Sequence, residues 1–384
     1  MSLTLHGFCE PLFSPVADAF RANFEAGLEI GASLAMTYKG RLVVDLWGGW
    51  RDEARTIPWT EDTIVPVVST GKVPVALSAL MLADRGLLDL YAPVADYWPE
   101  FAQGGKGEVL VRHALSHQAG VPGLDPAVIS SQLADWDYIT GRIAAEPHWF
   151  EGRRRLAYHA NTYIYLVGEL VRRIDGRRPP EFVKDELTGP LKADFHLGMT
   201  DNGLLNRFAE PVFNPPPART DGDLATRIWG TVQPGDRSLA RLSPTMAIAN
   251  ARGIARVMSV VAGRGAVEDH RFLDGKWIDM AGRGEVYEQC PLMGWLRFGL
   301  GFGLHSDRYP LPTPNMMGWG GSGGSWAIAD PSFGFSLGYA PNNFDPNRQP
   351  IDPRLVAIGR SVRKLARDLP VPDAPIHPSL DRLA

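Results

Sequence analysis

Cysteine and lysine are the scarce residues of this 384-residue chain, and each scarcity closes a class of function. The two cysteines, Cys9 and Cys290, lie far apart with no CxxC spacing and no histidine cluster beside them, so neither a zinc site nor a disulfide framework is read. Free thiols in a reducing cytoplasm are the expectation. Only seven lysines occur, no Lys/Arg-rich block is present, and 39 basic against 43 acidic residues leave a net charge of −4. Nucleic acid is therefore not an expected partner. Long apolar runs are missing too: no segment approaches a membrane span, and the first twenty residues hold neither a basic stretch nor a continuous apolar core. No export signal is read, and a cytoplasmic location is expected.

What remains is ordinary globular material, 45% hydrophobic and 21% charged, enough for one large or two medium domains. Val16, Phe20 and Phe24 recur at four-residue spacing and predict a helix from Pro15 to Ala26. Strand-like runs at 31–38 and 41–49 flank Lys39-Gly40, a hairpin signal. After Ser69, apolar positions keep helical spacing up to Arg85-Gly86. Helical patterns then dominate, in "VRHALSHQAG", "SSQLADWDYITGRIAAEP", "TYIYLVGELVRRIDG" and a further helix expected to start at Ser243-Pro244. A Pro-rich stretch at 210–223 reads as a surface loop. Strands return in "FGLGFGLHSD" and "SWAIADPSFGFSLGYAPN", and a last helix, "PRLVAIGRSVRKLARDL", precedes a Pro-rich tail. Strands at both ends with helices between them predict an α/β (α+β) chain, with one antiparallel sheet built from both termini. The expected division is a discontinuous α/β domain of 1–75 and 250–384 around a helical domain of 76–249.

Three segments carry candidate chemistry. In "VVSTGKVP", Ser69 and Lys72 stand three residues apart at a helix start, on one face. A serine hydroxyl must lose its proton as it attacks, and lysine accepts that proton only when burial or a positive field lowers its pKa. Val67, Val68, Val73, Pro74 and Val75 would supply the burial. The alternative is an N-capping serine and a surface lysine. The pattern is cheap: eighteen serines and seven lysines give about one third of a match by chance. Ser361 and Lys364 form a second match in a charged helix.

The second segment is "GWGGSGGSW". Gly320 to Gly324 fit a nucleophile elbow around Ser322, but an elbow needs a helix after the turn, and a strand pattern follows here. Gly318, Gly320 and Gly323 fit a dinucleotide pattern without its βαβ frame. A third use is to let a substrate approach the backbone and offer N–H groups to an oxyanion, against a functionless bulge or hairpin. In the third segment, "LAYHANTYIYLVGEL", Tyr158 could relay protons if a lysine's charge lowers its pKa. His159 reads as structural, and Tyr163 and Tyr165 as core.

In their order along the chain, Ser69-Thr70-Gly71-Lys72, Tyr158-His159-Ala160 and Trp319-Gly320-Gly321, the three segments resemble the serine β-lactamase and DD-peptidase superfamily, most closely its family VIII carboxylesterases. The resemblance runs over about residues 15 to 365, and includes "LKADFHLGM" and "SPTMAIANARGIAR". It implies a β-lactamase-like fold, with Ser69, Lys72 and Tyr158 as catalytic residues. Trp319, Gly320, Gly321 and Ser322 would be the oxyanion and substrate-binding segment, and no metal or organic cofactor is implied. Two departures stand out: Ala160 and Trp319 replace an asparagine and a lysine that hold the amide and carboxylate of a β-lactam. The expected substrate is a small, uncharged, short-chain ester, with β-lactam hydrolysis as a weak side reaction. A β-lactamase or peptidase with the same nucleophile, an acyltransferase, and an acylated or inactive binding protein on the same fold are the alternatives. Trp149, Trp295 and Trp326 are unplaced candidates for an acyl pocket, and the oligomeric state is not fixed.

Overall fold

The computed structural model describes residues 4–199, 202–213, 226–228, 243, 246–344 and 352–369. Of the Pro-rich stretch at 210–223, residues 214–223 lie outside the described residues, as do the Pro-rich tail with His377 and Pro244, while Val212–Phe213, expected in a loop, form a short strand parallel to Asn343–Phe344.

A nine-stranded antiparallel sheet organises the molecule. Its strands are β1 (Leu5–Cys9), β2 (Gly31–Tyr38), β3 (Arg41–Gly49), β4 (Val286–Cys290), β5 (Gly294–Phe298), β6 (Gly303–Leu304), β7 (Met317–Gly320), β8 (Trp326–Asp330) and β9 (Phe335–Pro341). Their spatial order is β1-β3-β2-β9-β8-β7-β6-β5-β4, so β2, from the N-terminal part, pairs with β9, from the C-terminal part. The antiparallel sheet formed from both ends of the chain is thus present. Residues 31–49 form the expected hairpin, with Lys39 and Gly40 both at positive φ, as a two-residue turn of this kind requires.

Both faces of the central strands are buried, and the two faces differ in side-chain size. Leu34, Met36, Ile328, Leu337 and Tyr339 point to one side, against Val16 and Phe20 of α1 (Ser14–Glu25) and Ile358, Val362 and Leu365 of the C-terminal helix. The opposite side carries Ser33, Ala35, Ser336, Gly338 and Ala340. Those short side chains let the helix Ala251–Ala262 approach closely: a Cβ on Gly338 would lie 2.2 Å from the Ala251 carbonyl oxygen. The period-two alternation of large and small residues thus sets the layer spacing.

Behind this layer lies α2 (Lys72–Asp84), buried on every side from Lys72 to Ala83, as expected of a helix apolar all round. It packs against α3 (Tyr163–Asp175), whose C-terminus ends at Gly176 in the left-handed region. The helix Ala251–Ala262 is α4, and the C-terminal one, Pro353–Asp368, is α5.

Two helix expectations shift. Instead of a helix from Ser243, Ala247–Ala249 form a strand paired with Val65–Pro66 and Phe195–Leu197, and α4 starts later, capped by Asn250, which accepts from Gly253 N–H at 2.8 Å. The segment 130–147 breaks in two at Asp135, whose carboxylate caps the helix Trp136–Ala145 by accepting from Tyr138 N–H. Among the described residues, no helix is long and apolar enough to cross a membrane.

Candidate active site

Ser69 sits in a single 3-10 turn, Val68–Gly71, that runs directly into α2. The turn is reached from Val65–Pro66 and is pinned by Val67 N–H donating to the Ala247 carbonyl at 2.8 Å. Gly71 is needed there, because a Cβ would fall 2.4 Å from that of Ala247. Val68 adopts φ +48°, a left-handed conformation rare for a β-branched residue and the kind of local strain held at functional sites. Neither this turn nor α2 has a side-chain N-cap bond, so Ser69 is not a helix cap. Its hydroxyl faces Lys72 instead.

Lys72 is buried at 3% exposure, with Nζ 3.0 Å from Ser69 Oγ and 2.8 Å from the Ala160 carbonyl oxygen. Nζ also lies over the Tyr158 ring, 5.0 Å from its centroid. Burial lowers its pKa from 10.5 to about 7. The neighbouring imidazoles add no charge: burial depresses His117 far below its usual range and His159 to about 3. His159 Nδ1 lies 2.6 Å from the Ala157 carbonyl, and its backbone N–H donates to His117 Nδ1, a structural arrangement.

Tyr158 precedes α3 and is likewise buried. Its hydroxyl hydrogen-bonds Ser69 and accepts from the Trp319 indole N–H at 2.7 Å. The sequence suggests a phenol pKa lowered by lysine; the structure shows it raised, chiefly by burial. Lys72 is close enough to help only when charged, and its own burial works against that charge.

These contacts fix the direction of a proton chain. An indole N–H can only donate, so Tyr158 oxygen accepts from Trp319 and its O–H is left to donate to Ser69 Oγ. With Lys72 neutral, the Ser69 O–H donates to Nζ, and an Nζ–H donates to Ala160. Trp319 therefore spends its donor inside the protein, not on a substrate. Its ring packs with Phe298, Tyr309 and Tyr158 at centroid distances of 4.7, 4.9 and 5.3 Å.

Gly320 ends β7, and Gly321 to Gly324 turn the chain into β8. A strand follows the turn, so the segment is a hairpin and not a nucleophile elbow. Ser322 is exposed at the turn. Gly321 lies against the Ser69 turn, since a Cβ there would come 2.2 Å from the Val67 carbonyl oxygen. Ser325, which the sequence does not single out, ties the two together: its Oγ donates to the Val67 carbonyl at 2.8 Å and lies 3.0 Å from Thr70 Oγ1.

Of the unplaced tryptophans, Trp326 donates to the Tyr309 hydroxyl at 3.0 Å, behind the Trp319 ring. Trp149 lies against the Arg227 guanidinium, and Trp295 is half exposed on β5, facing away from Phe298. Ser361 donates to the Ile358 carbonyl within α5, so the second Ser-x-x-Lys match is an ordinary helix position. Tyr163 and Tyr165 are core residues whose hydroxyls donate to the Leu115 and Leu133 carbonyls. Both cysteines are free, and the buried Cys290 sulfur accepts from Tyr158 N–H at 3.3 Å.

Comparison with known proteins places this geometry. The chain is 32% identical over 363 residues to the "Esterase/beta-lactamase LipL" of Mycobacterium tuberculosis, covering 88% of this chain and 82% of that protein. Its structure is similar to that of a family VIII carboxylesterase, at TM-score 0.87 and 34% identity, covering 94% of this chain and all of the other. A penicillin-binding protein homologue from Caulobacter crescentus matches at TM-score 0.86 and 31% identity, covering 94% of this chain and all of the other. The family described as Beta-lactamase matches residues 20–360, and this chain belongs to it.

Proposed function

We propose that this serine hydrolase of the β-lactamase superfamily is a carboxylesterase acting on small, uncharged, short-chain esters through an acyl-enzyme on Ser69. The observation that carries the reading is the buried chain from Trp319 through Tyr158 and Ser69 to Lys72, which ends on an amine with a pKa of about 7. As Ser69 Oγ attacks the ester carbonyl carbon, its proton passes to neutral Lys72. The Ser69 and Ser322 backbone N–H groups hold the tetrahedral oxyanion. Tyr158, kept a phenol by burial, gives its proton to the departing alkoxide, and the protonated Lys72, whose Nζ lies over the Tyr158 ring, returns one to the phenolate. Water attacks the acyl-enzyme by the reverse route.

Ala160 offers no polar side chain, and the Trp319 N–H is already bonded to Tyr158, so an anionic acid group finds no partner at these two positions. An apolar acyl or alcohol group packs instead against the Trp319 ring, which the Phe298 and Tyr309 rings support. The test is hydrolysis of short- and long-chain p-nitrophenyl esters and of a chromogenic cephalosporin, by the native protein and by Ser69→Ala. Short esters should be cleaved fastest, the cephalosporin weakly, and none by the variant. An active Ser69→Ala protein sinks the mechanism, and a cephalosporin turned over faster than every ester sinks the substrate class.

A further inference from the structure

The glycines of "GWGGSGGSW" answer to groups of the protein itself. A Cβ on Gly324, at φ +99°, would lie 2.2 Å from Arg354 Nη2 and 2.7 Å from Asp352 Oδ2. A Cβ on Gly323, at φ +96°, would enter the Phe344 ring. The turn is therefore seated on the N-terminus of α5, where Arg354 is fully buried.

All the donors of that guanidinium are used. Nε donates to Asp352 Oδ1 at 3.0 Å, Nη1 to Glu29 Oε2 at 3.1 Å and the Asn343 carbonyl at 3.0 Å, and Nη2 to Asp352 Oδ2 at 2.6 Å and the Gly323 carbonyl at 2.7 Å. A buried ion cluster is weak evidence for stability, since apolar groups of equal volume often do as well. Directional recognition is what a guanidinium fork adds.

The direction runs through two peptide units. Arg354 holds the Gly323 carbonyl, and in a planar trans peptide the N–H of Gly324 points the opposite way. That N–H donates to the Gly321 carbonyl at 3.0 Å. The same logic turns the N–H of Ser322, which shares its peptide unit with Gly321, away from this bond. Gly321 itself abuts the Val67 carbonyl beside Ser69.

We propose that Arg354 is a positioning residue that aims the Ser322 N–H at the reaction centre through these two rigid peptide units. The inference rests on the oxyanion role proposed above for that N–H. Loss of one oxyanion donor costs about 100- to 1,000-fold in kcat, and a misaimed one should cost less, about 10- to 100-fold.

The experiment compares an ester with its thionoester, in which sulfur replaces the carbonyl oxygen and accepts hydrogen bonds poorly. Native protein should prefer the ester strongly. In Arg354→Lys, whose single ammonium cannot reproduce the fork, the ester-to-thionoester ratio of kcat/KM should fall at least tenfold, through kcat on the ester. Glu29→Gln touches only Nη1 and should lower stability while leaving the ratio unchanged. Should Arg354→Lys fail to fold by circular dichroism, the double variant Glu29→Gln/Arg354→Gln, which keeps the net charge of the native cluster with one buried ion in place of three, is measured for the same ratio. A folded Arg354 variant with the native ratio overturns the inference, as does an equal fall in Glu29→Gln. If Ser69→Ala stays active or the native protein shows no ester preference, the underlying esterase reading fails first, and this inference with it.

Discussion

Replacing Lys72 by methionine should abolish ester cleavage and yet stabilise the fold at neutral pH, because the amine is held uncharged where the unfolded chain would charge it. Burial moves its pKa from 10.5 to about 7. The difference, 10.5 less 7, corresponds to about 5 kcal/mol against the folded state at a pH below 7, where both forms of the chain bind the proton. The unfolded chain binds the proton more tightly between pH 7 and 10.5, so native stability rises across that window and the penalty vanishes above it. Between pH 7 and pH 10 the native protein should gain about 3–4 kcal/mol relative to Lys72→Met. Methionine also loses the hydrogen bond to Ala160, at a pH-independent cost of about 1–3 kcal/mol. The variant's net advantage at pH 7 is then about 1–3 kcal/mol. Urea unfolding of both proteins at several pH values measures the difference, and single-turnover acylation of the native protein should show an acid limb with its midpoint at about 7. A stability difference that stays flat from pH 7 to 10 refutes the reasoning, whatever happens to activity.

Trp319→Phe keeps the ring packing but removes the donor to Tyr158, and kcat on p-nitrophenyl esters should fall about 10- to 100-fold with folding intact; an unchanged kcat would show that the direction of the proton chain is set elsewhere. Ser322→Ala and Ser361→Ala should both keep native kcat, the first because its backbone N–H is retained, and total loss in Ser322→Ala would restore that hydroxyl as a nucleophile. Ser325→Ala unties the hairpin from the Ser69 turn. It should lower stability by about 1–2 kcal/mol and slow acylation, measured by denaturant unfolding and stopped-flow burst.

The parts legible from sequence were those with a residue-type or period signature. Alternation and a two-residue turn located both strands of the 31–49 hairpin, and a long apolar period located α2. Ser69, Lys72, Tyr158 and Trp319 were legible as an ordered set, and the structure brings all four into contact. The strand Ala247–Ala249 leaves no sequence signal because three residues are too few for a period, and its partners lie about 50 or more residues away in sequence. The Ala160 carbonyl and Ser325 hydroxyl escaped notice since neither a backbone acceptor nor one serine among eighteen carries a signature. The rise of the Tyr158 pKa has no sequence signature, because a sequence shows which charges exist but not how far burial suppresses them.

The pairing of β2 with β9 has a consequence for the chain as it is made. Ser69 and Lys72 leave the ribosome about 250 residues or more before Trp319, Ser325, the strand at 335–341 and Arg354. Domains fold as units during synthesis, and here the unit closes late. A growing chain therefore carries Ser69 and Lys72 through about 250 residues of synthesis without the neighbours that surround them in the fold, so on the reading proposed above hydrolase activity should appear as a step once residues 319–354 have emerged.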